Sequence, residues 1–317
     1  MSIIENSKLA IIGAGAVGTS LAYAAMIRES AREIALYDIR PEKVDAEVLD
    51  LSHGSQFTGA TSITGGHDLA VIEGAKVVVV TAGAKQHPGQ SRLDLAQVNV
   101  ELLRELMPRL VERAPEAVYI IVSNPCDVLA VAAHRISGLP RSRVFASGTV
   151  LDSSRLRWLL GERLGVSTSS VHAMIVGEHG DSEFALWSQA RIGPVPILEW
   201  QPQHCERLSL AELALIADDV KTAAYRVILG KGATNYAIGL SAARTVEAVL
   251  RDEGVVLPVS SVLENYQGID GIALSLPSIV NASGVSQVID VPLSDEERRA
   301  LDRSANALAD SLAALGI

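Results

Sequence analysis

The stretch LAIIGAGAVGTS, residues 9–20, places three glycines between an apolar run and a run of helical composition. Their spacing is Gly13-x-Gly15-x-x-Gly18, directly after a predicted strand and at the start of a predicted helix. Gly13 allows a tight turn, Gly15 lets the backbone approach a pyrophosphate, and Gly18 lets the helix pack closely on the strand. The free amides of the helix N-terminus then face the phosphates. The stretch therefore predicts a strand–turn–helix unit that binds a dinucleotide.

An acidic residue ends the next predicted strand, twenty residues after Gly18, at Asp38. A carboxylate at this position accepts hydrogen bonds from both hydroxyls of the adenosine ribose and repels a 2′-phosphate. The sequence thus favours NAD over NADP, although Arg40 close by is a residue that could bind the extra phosphate.

The first half of the chain alternates short β-branched runs with longer helical patterns. Runs such as VVVV (77–80) are apolar throughout, which is typical of a parallel sheet covered on both faces. From about Arg143 the alternation ends, and a helical segment over 211–251 precedes strand-like runs and a terminal helix. The sequence predicts an α/β fold: a Rossmann-type doubly wound parallel sheet over residues 1–146, which binds NAD, followed by an α+β substrate-binding domain over 147–317.

Composition narrows the class of partner. The net charge of −10 disfavours nucleic acid and anionic membranes, which would repel the chain. The two cysteines, Cys126 and Cys205, are far apart and have no metal-binding spacing, and no signal peptide or bilayer-spanning run is recognisable. We expect a cytoplasmic protein with no metal ion, no nucleic-acid partner and no membrane partner.

Polar clusters follow the predicted strands, and they should converge at the carboxyl ends of the sheet. The clusters include TAGAKQHPGQSR, SNP and GEHGDS, which carries His179 between two acids. His179 could be a metal ligand, a turn residue or an acid–base catalyst. Asp152 in LDSSR either caps a helix or accepts the Nδ1–H of His179, and Arg155 is either solvated or turned to the cleft. The residues alone leave these alternatives open.

The motifs GAGAVG, TAGAKQHPGQSRLDL, SNPCDVL, LDSSRLR and GEHGDS occur in this order. With them the chain resembles the L-lactate/malate dehydrogenase family from Lys8 to the terminal helix. The resemblance implies that His179 exchanges a proton with the substrate and that Asp152 orients it. It also implies that Arg92 polarises the substrate carbonyl and that Arg155 binds the substrate carboxylate through two parallel hydrogen bonds.

The resemblance extends to the remaining binding residues. It implies substrate contacts at Gln86, Arg92, Asn124, Arg155 and Thr234. It implies NAD contacts at Gly13, Gly15, Val17, Gly18, Asp38, Lys43, Gly83, Ala84, Asn124 and Ile238.

The identity of the 2-oxo acid depends on Gln86. Malate dehydrogenases similar to this chain carry an arginine there, which pairs with the second carboxylate of oxaloacetate. A neutral glutamine leaves that carboxylate buried without a partner, which costs roughly several kcal/mol. Pyruvate and lactate are therefore expected, with malate or a broader range of L-2-hydroxy acids as the alternative.

A second anion site is implied by the same resemblance. In members of the family that fructose 1,6-bisphosphate activates, an arginine and a histidine bind the activator across a subunit interface, and Arg157 and His172 match them. The two residues could instead be a surface arginine and an ordinary strand histidine. The usual assembly of the family is a homotetramer.

Overall fold

The structure is a computed structural model that describes residues 7–84, 92–203 and 206–317. Six parallel strands form most of its central sheet: β1 (Lys8–Ile12), β2 (Glu33–Tyr37), β3 (Ser62–Gly66), β4 (Val77–Val80), β5 (Val118–Ile121) and β6 (Val144–Ala146). Their order is β6-β5-β4-β1-β2-β3. The chain thus begins in the middle of the sheet and builds outward in both directions, so that a crevice forms where the strand order reverses between β1 and β4.

Two small sheets follow. One contains β7 (Val171–His172), β10 (Arg191–Ile192) and β11 (Val195–Pro196); the other is a hairpin of β8 (Ile175–Val176) and β9 (Phe184–Ala185). Three longer antiparallel strands complete the β-structure of the described residues: β12 (Val255–Val262), β13 (Ala273–Asn281) and β14 (Gly284–Val288).

The strands of the second half extend the central sheet. In register, β12 pairs antiparallel with β6 through Ser260 opposite Ala146 and Ser261 opposite Phe145. The sheet is therefore nine-stranded, in the order β14-β13-β12-β6-β5-β4-β1-β2-β3. The predicted fold class, a doubly wound sheet followed by a part of mixed composition, is confirmed, and the structure adds that the two parts share one sheet.

Helices cover both faces of the sheet. They are α1 (Ala16–Ile27), α2 (Pro41–His53), α3 (Arg92–Arg113), α4 (Cys126–Ser137), α5 (Val150–Leu164), α6 (Leu210–Lys231), α7 (Tyr236–Leu250) and α8 (Asp295–Ala314). Successive residues of a strand point to opposite faces. In β1, Ile11 accordingly packs in one core cluster with Leu21 of α1, and Ile12 in the other with Leu103 of α3. Each such buried side chain stabilises the fold by about 1.5–3 kcal/mol.

The helical segment predicted over 211–251 is two helices. Gly232 ends α6 in the left-handed region with φ +84, and its N–H donates to the carbonyl of Ile228 at 2.8 Å. Glycine occupies this cap at little conformational cost. Among the described residues, no helix has both the length and the apolarity needed to cross a bilayer.

Candidate active site

The glycine-rich turn joins β1 to α1 in the crevice. Gly13 has φ +109, and its N–H donates to the carbonyl of Tyr37 at 2.7 Å. A Cβ on Gly18 would lie 1.9 Å from the carbonyl oxygen of Gly13, whereas a Cβ on Gly15 would meet nothing within 4 Å. The fold itself thus requires glycine at positions 13 and 18, whereas Gly15 leaves open space above the backbone. Among the described residues no side chain caps the start of α1, so its first amides are available to an anion.

Asp38 lies beside this turn at the end of β2. Its carboxylate accepts the backbone N–H of Ala14 at 2.9 Å and that of Arg40 at 3.1 Å. Burial opposes its ionisation, but these hydrogen bonds and the nearby charge of Lys43 lower the pKa of Asp38. Asp38 is therefore an anion fixed next to the phosphate-binding turn, where the adenosine ribose of NAD would lie.

Asn99 of α3 connects the loops that follow β4 and β5. It is 1% exposed, its Oδ1 accepts the N–H of Ala84 at 2.7 Å, and its Nδ2 donates to the carbonyl of Asn124 at 2.8 Å. A Cβ on Gly83 would lie 3.2 Å from the same Oδ1. The predicted residues Gly83, Ala84 and Asn124 are therefore brought together, by a residue that the sequence analysis missed.

The hairpin of β8 and β9 carries His179 in its loop. The hairpin is attached to the central sheet because Gly177 and Ser275 of β13 exchange backbone hydrogen bonds of 2.9 and 2.8 Å. At the other end, the backbone N–H of His179 donates to Oδ2 of Asp127 at 2.6 Å. Asp127 lies in the first turn of α4, just after β5, so this contact fixes His179 at the carboxyl edge of the sheet.

The imidazole of His179 is held by Asp152 of α5. Its Nδ1 lies 2.7 Å from Oδ2 of Asp152, whose other oxygen accepts a hydrogen bond of 2.7 Å from Arg155. Asp152 is 2% exposed and the histidine side chain 26% exposed. The carboxylate therefore binds the N–H at Nδ1, and Nε2 remains the nitrogen that can exchange a proton with a substrate. Of the alternatives open at the sequence level, the structure places Asp152 against His179.

Charges around the imidazole determine its protonation. Burial works against the imidazolium ion, but the charge of Asp152, followed by that of Asp127, raises the pKa of His179 to about 9. Burial likewise opposes ionisation of Asp152, yet His179 and Arg155 keep the pKa of this carboxyl below its ordinary value. At neutral pH the pair is an imidazolium beside a carboxylate.

Two further buried acids were missed by the sequence analysis. Burial raises the pKa of Asp127 to about 6, and burial together with the charge of Asp152 raises that of Glu183 to about 8. The motif GEHGDSE contains Glu183 four residues after His179, a spacing that could have indicated its proximity. Asp127 is distant in sequence, and only the fold brings it to His179.

Arg92, the first residue of α3, lies close to the loop that carries His179. Its two terminal nitrogens each lie 3.1 Å from an oxygen of Asp181, and it also donates to the hydroxyl of Tyr225. A Cβ on Gly180 would lie 3.2 Å from its guanidinium. Arg92 therefore lies close to the loop that carries His179, and its role in polarising the substrate carbonyl stays a prediction.

For the other predicted residues the structure shows no direct contact with His179, Asp152 or Arg155 among the described residues. Thr234 is half-buried between α6 and α7, and Val17 and Ile238 pack at the margin of the core cluster that contains α1 and α7. Gln86 lies outside the described residues.

Arg157 and His172 are separate from the catalytic cluster. Two residues along a helix correspond to a rotation of about 200°, so Arg157 lies on the opposite side of α5 from Arg155. Its Nε donates to the carbonyl of Ala173 at 2.9 Å, directly after His172, which is exposed. The two residues are neighbours at the surface formed by α5 and β7.

The chemistry of this cleft defines a class of enzyme. Hydride transfer to a carbonyl carbon requires a proton donor beside the carbonyl oxygen, and His179 at the edge of a dinucleotide-binding sheet can provide it. The open space above Gly15, the free amides of α1 and the fixed Asp38 suit the pyrophosphate and ribose of NAD. These features are those of an NAD-dependent oxidoreductase.

Comparison with known proteins agrees with this class. Residues 7–146 match the NAD-binding domain of lactate/malate dehydrogenase, and residues 149–315 match the alpha/beta C-terminal domain of lactate/malate dehydrogenase. The chain belongs to the lactate/malate dehydrogenase family.

Individual relatives are similar over nearly their whole length. The L-lactate dehydrogenase of Bifidobacterium animalis subsp. lactis is 50% identical, with 99% of each chain covered. L-lactate dehydrogenase 1 of Clostridium acetobutylicum is 43% identical, with 97% of this chain and 98% of the relative covered. The minor L-lactate dehydrogenase of Enterococcus mundtii, solved with ligands bound, superposes with a TM-score of 0.93 at 39% identity, covering 98% of this chain and 99% of that one. A lactate dehydrogenase from a Medee basin deep-sea metagenome superposes with a TM-score of 0.94 at 35% identity, covering 99% and 100%.

Proposed function

We propose that the protein is an L-lactate dehydrogenase that reduces pyruvate to (S)-lactate with NADH, and that it catalyses the reverse reaction. The observation that carries the proposal is the hydrogen bond of 2.7 Å between Nδ1 of His179 and Asp152, with Arg155 on the same carboxylate. This arrangement presents one exchangeable proton and one guanidinium to a small 2-oxo acid.

The residues have distinct tasks in the reaction. NADH, when bound, would supply the hydride that reduces the carbonyl carbon of pyruvate. His179 gives the proton on Nε2 to the carbonyl oxygen, and Asp152 stabilises the imidazolium before the transfer. Arg155 binds the substrate carboxylate with its remaining donors, while Arg92 and Asn124 bind the carbonyl oxygen and stabilise the charge that develops there.

Pyruvate is preferred to oxaloacetate because the residues proposed to face the substrate offer a single site for a carboxylate. Gln86 is neutral, so a second carboxylate would be desolvated without a counter-charge. Thr234 would lie beside the methyl group of pyruvate. The relatives named L-lactate dehydrogenase support the same choice.

Initial rates test the proposal directly. NADH oxidation should be faster with pyruvate than with oxaloacetate, and His179→Gln should lower turnover with pyruvate by roughly 100-fold or more. A preference of the unmodified enzyme for oxaloacetate would refute the lactate assignment. Turnover of the glutamine variant within a few-fold of the wild type would refute the role of His179.

Fructose 1,6-bisphosphate is the proposed activator, bound by Arg157 and His172. Burial lowers the pKa of Arg157, which indicates a guanidinium drawn into the protein and not fully solvated, and His172 is exposed beside it. Two such pairs related by a twofold axis would present four donors to the two phosphates. Addition of the bisphosphate should lower the KM for pyruvate; an unchanged KM would remove this part of the proposal.

A homotetramer is the proposed assembly, and the cytoplasm the proposed location. Adjacent helices α1 and α7 expose large apolar side chains at helical spacing: Tyr23 and Ile27 on α1, Tyr236 and Leu240 on α7, each more than half exposed. Such a surface suits burial against a second copy. Sedimentation equilibrium would measure the assembly. We also propose that residues 1–146 bind NAD and that residues 147–317 carry most of the substrate site.

A further inference from the structure

A second carboxyl group faces the catalytic imidazole. Oε2 of Glu183 lies 4.0 Å from Nδ1 of His179, and the glutamate side chain is 5% exposed. The N–H of Glu183 donates to the carbonyl of Gly180 at 3.3 Å, a turn that directs the side chain back onto the imidazole. A carboxylate oxygen of Asp152, a ring nitrogen of His179 and a carboxylate oxygen of Glu183 all lie within 4.8 Å of one another.

The charges around Glu183 come from three parts of the chain. Asp152 and Arg155 face it from α5, Lys221 from α6, and His179 from its own loop. Asp127 of α4 lies beside His179, whose backbone N–H it accepts. Arg92 is neutralised by Asp181. Glu178 adds a further negative charge near Asp127. Because the buried carboxyl groups of Asp152 and Glu183 both lie at one imidazole, ionisation of both places two negative charges beside the site proposed to receive the carboxylate of a 2-oxo acid.

Ionisation of Glu183 would oppose binding. The imidazolium of His179 would then be shared by two carboxylates, and the substrate carboxylate would enter a pocket with one more negative charge, which is costly in a dry site. Burial and the charge of Asp152 raise the pKa of Glu183 to about 8, so that it carries a proton at neutral pH.

We propose that Glu183 is a positioning residue that must be protonated for an anionic 2-oxo acid to bind, so that the competent site holds two protons, one on His179 and one on Glu183. The inference rests on the proposed function, since it assigns to the same site a requirement for charge. Glu183 acts through the imidazole and the pocket charge and makes no contact with the reacting atoms.

The pH dependence of kcat/KM for pyruvate carries the signature. If both protons are needed, the wild-type value falls on the alkaline side with a limiting slope that approaches −2 in a logarithmic plot. In Glu183→Gln the amide imitates the protonated acid, so only His179 titrates. The limiting slope then stays at −1, and the alkaline midpoint moves up by roughly half a pH unit or more. At pH 9 the kcat/KM of the variant should therefore exceed that of the wild type roughly 3- to 10-fold.

The direction of the shift separates this proposal from its alternatives. If Glu183 were ionised at all pH values, its removal would take a negative charge away from the imidazole, and the midpoint would move down. A purely structural glutamate would leave the midpoint unchanged while altering the thermal midpoint. A downward shift or no shift overturns the proposal. Glu116→Gln, which removes an exposed charge outside the site, is the matched control and should reproduce the wild-type profile.

A measurement on the wild type covers the case in which Glu183→Gln does not fold. Oxamate, the unreactive amide counterpart of pyruvate, is titrated into the NADH-bound enzyme at pH 9.5 in buffers of different ionisation enthalpy, which counts the protons taken up. His179 alone can take up at most one proton per site, so uptake of more than one supports the proposal and uptake of one or fewer overturns it. Failure of the wild type to reduce pyruvate at pH 7 would instead overturn the proposed function.

Discussion

Nδ2 of Asn99 donates to the backbone carbonyl of Asn124 at 2.8 Å, from the interior of α3 to the loop after β5. The same side chain accepts the N–H of Ala84, so one amide group sets the distance between two loops at the carboxyl edge of the sheet. Both loops carry residues assigned here to NAD and substrate.

Replacement of Asn99 by alanine should therefore impair the site. Two buried backbone groups lose their partners, at about 1–3 kcal/mol each if they stay unpaired. We expect kcat/KM for pyruvate to fall roughly 10- to 100-fold and the Kd for NADH, measured by fluorescence, to rise. Gln97→Ala removes an exposed amide from the same helix and should change neither value.

Asp152→Asn should lower kcat by roughly 100-fold or more, because the amide neither stabilises the imidazolium nor fixes its tautomer. The carboxylate of Asp152 raises the pKa of His179, so its loss should also move the alkaline limb of kcat/KM to lower pH. The exposed neighbour Ser154, changed to alanine, is the control. An alkaline limb that stays in place would show that the carboxylate does not set the proton affinity of His179.

Asp38→Ser should shift the cofactor preference towards NADPH. The variant removes a fixed anion beside the ribose site and leaves Arg40 free to bind a 2′-phosphate. Loss of hydrogen bonds to a charged group, about 1.5–3 kcal/mol, corresponds to a decrease of roughly 10- to 100-fold in kcat/KM for NADH. Rates with NADH and NADPH, compared at fixed pyruvate, measure the change, and an unaltered ratio would contradict it.

Gln86→Arg should shift the ratio of kcat/KM towards oxaloacetate by roughly 10-fold or more, since it adds a counter-charge for the second carboxylate. Initial rates of wild type and variant with pyruvate and with oxaloacetate measure this ratio. Gln86→Leu, which adds no charge, should leave the ratio in favour of pyruvate.

Glu247 should stabilise the fold in a pH-dependent way. Its buried carboxylate accepts two hydrogen bonds of 2.7 Å from Arg28 of α1 and one of 2.8 Å from Ser30. Burial opposes its ionisation, but these partners lower the pKa of Glu247. The stabilisation is thus present above the ordinary glutamate pKa and is lost as the pH falls through the lower, folded-state value.

Glu247→Gln should cost about 2 kcal/mol at pH 7, less than a fully buried pair because the Arg28 side chain is 40% exposed. Urea unfolding at pH 7 and at pH 4 measures the difference, which should shrink at the lower pH. Glu101→Gln, in an exposed pair with Arg104, should leave the urea midpoint unchanged. A difference that grows on acidification would refute the assignment.

Local patterns in the sequence indicated the parts of the site that depend on neighbours along the chain. The turn at Gly13 and the acid at Asp38 follow from the strand pattern, the residue spacing and the charge. For Asp152 the residues left two alternatives open, and the family resemblance favoured the pairing with His179. Asn99, Asp127 and Glu183 were missed. Their roles depend on tertiary contacts: an interior helix position, a helix start after a distant strand, and a turn that reverses a side chain.

The same limit applies to the fold. Alternating apolar and helical runs predicted the doubly wound sheet because burial on both faces leaves a strong compositional signal. The break between α6 and α7 has a local signal, the glycine at position 232, which is typical of a helix C-terminus. The pairing of β12 with β6 has none, because antiparallel partners 110 or more residues apart share no spacing rule.

That pairing means that residues 1–146 are unsuited to exist as a separate fragment. Removing everything after Ala146 would strip β6 of its neighbour and leave its amides and carbonyls open to intermolecular pairing. The two parts of the chain are consequently coupled through the backbone itself, and heat or denaturant should melt them as one cooperative unit.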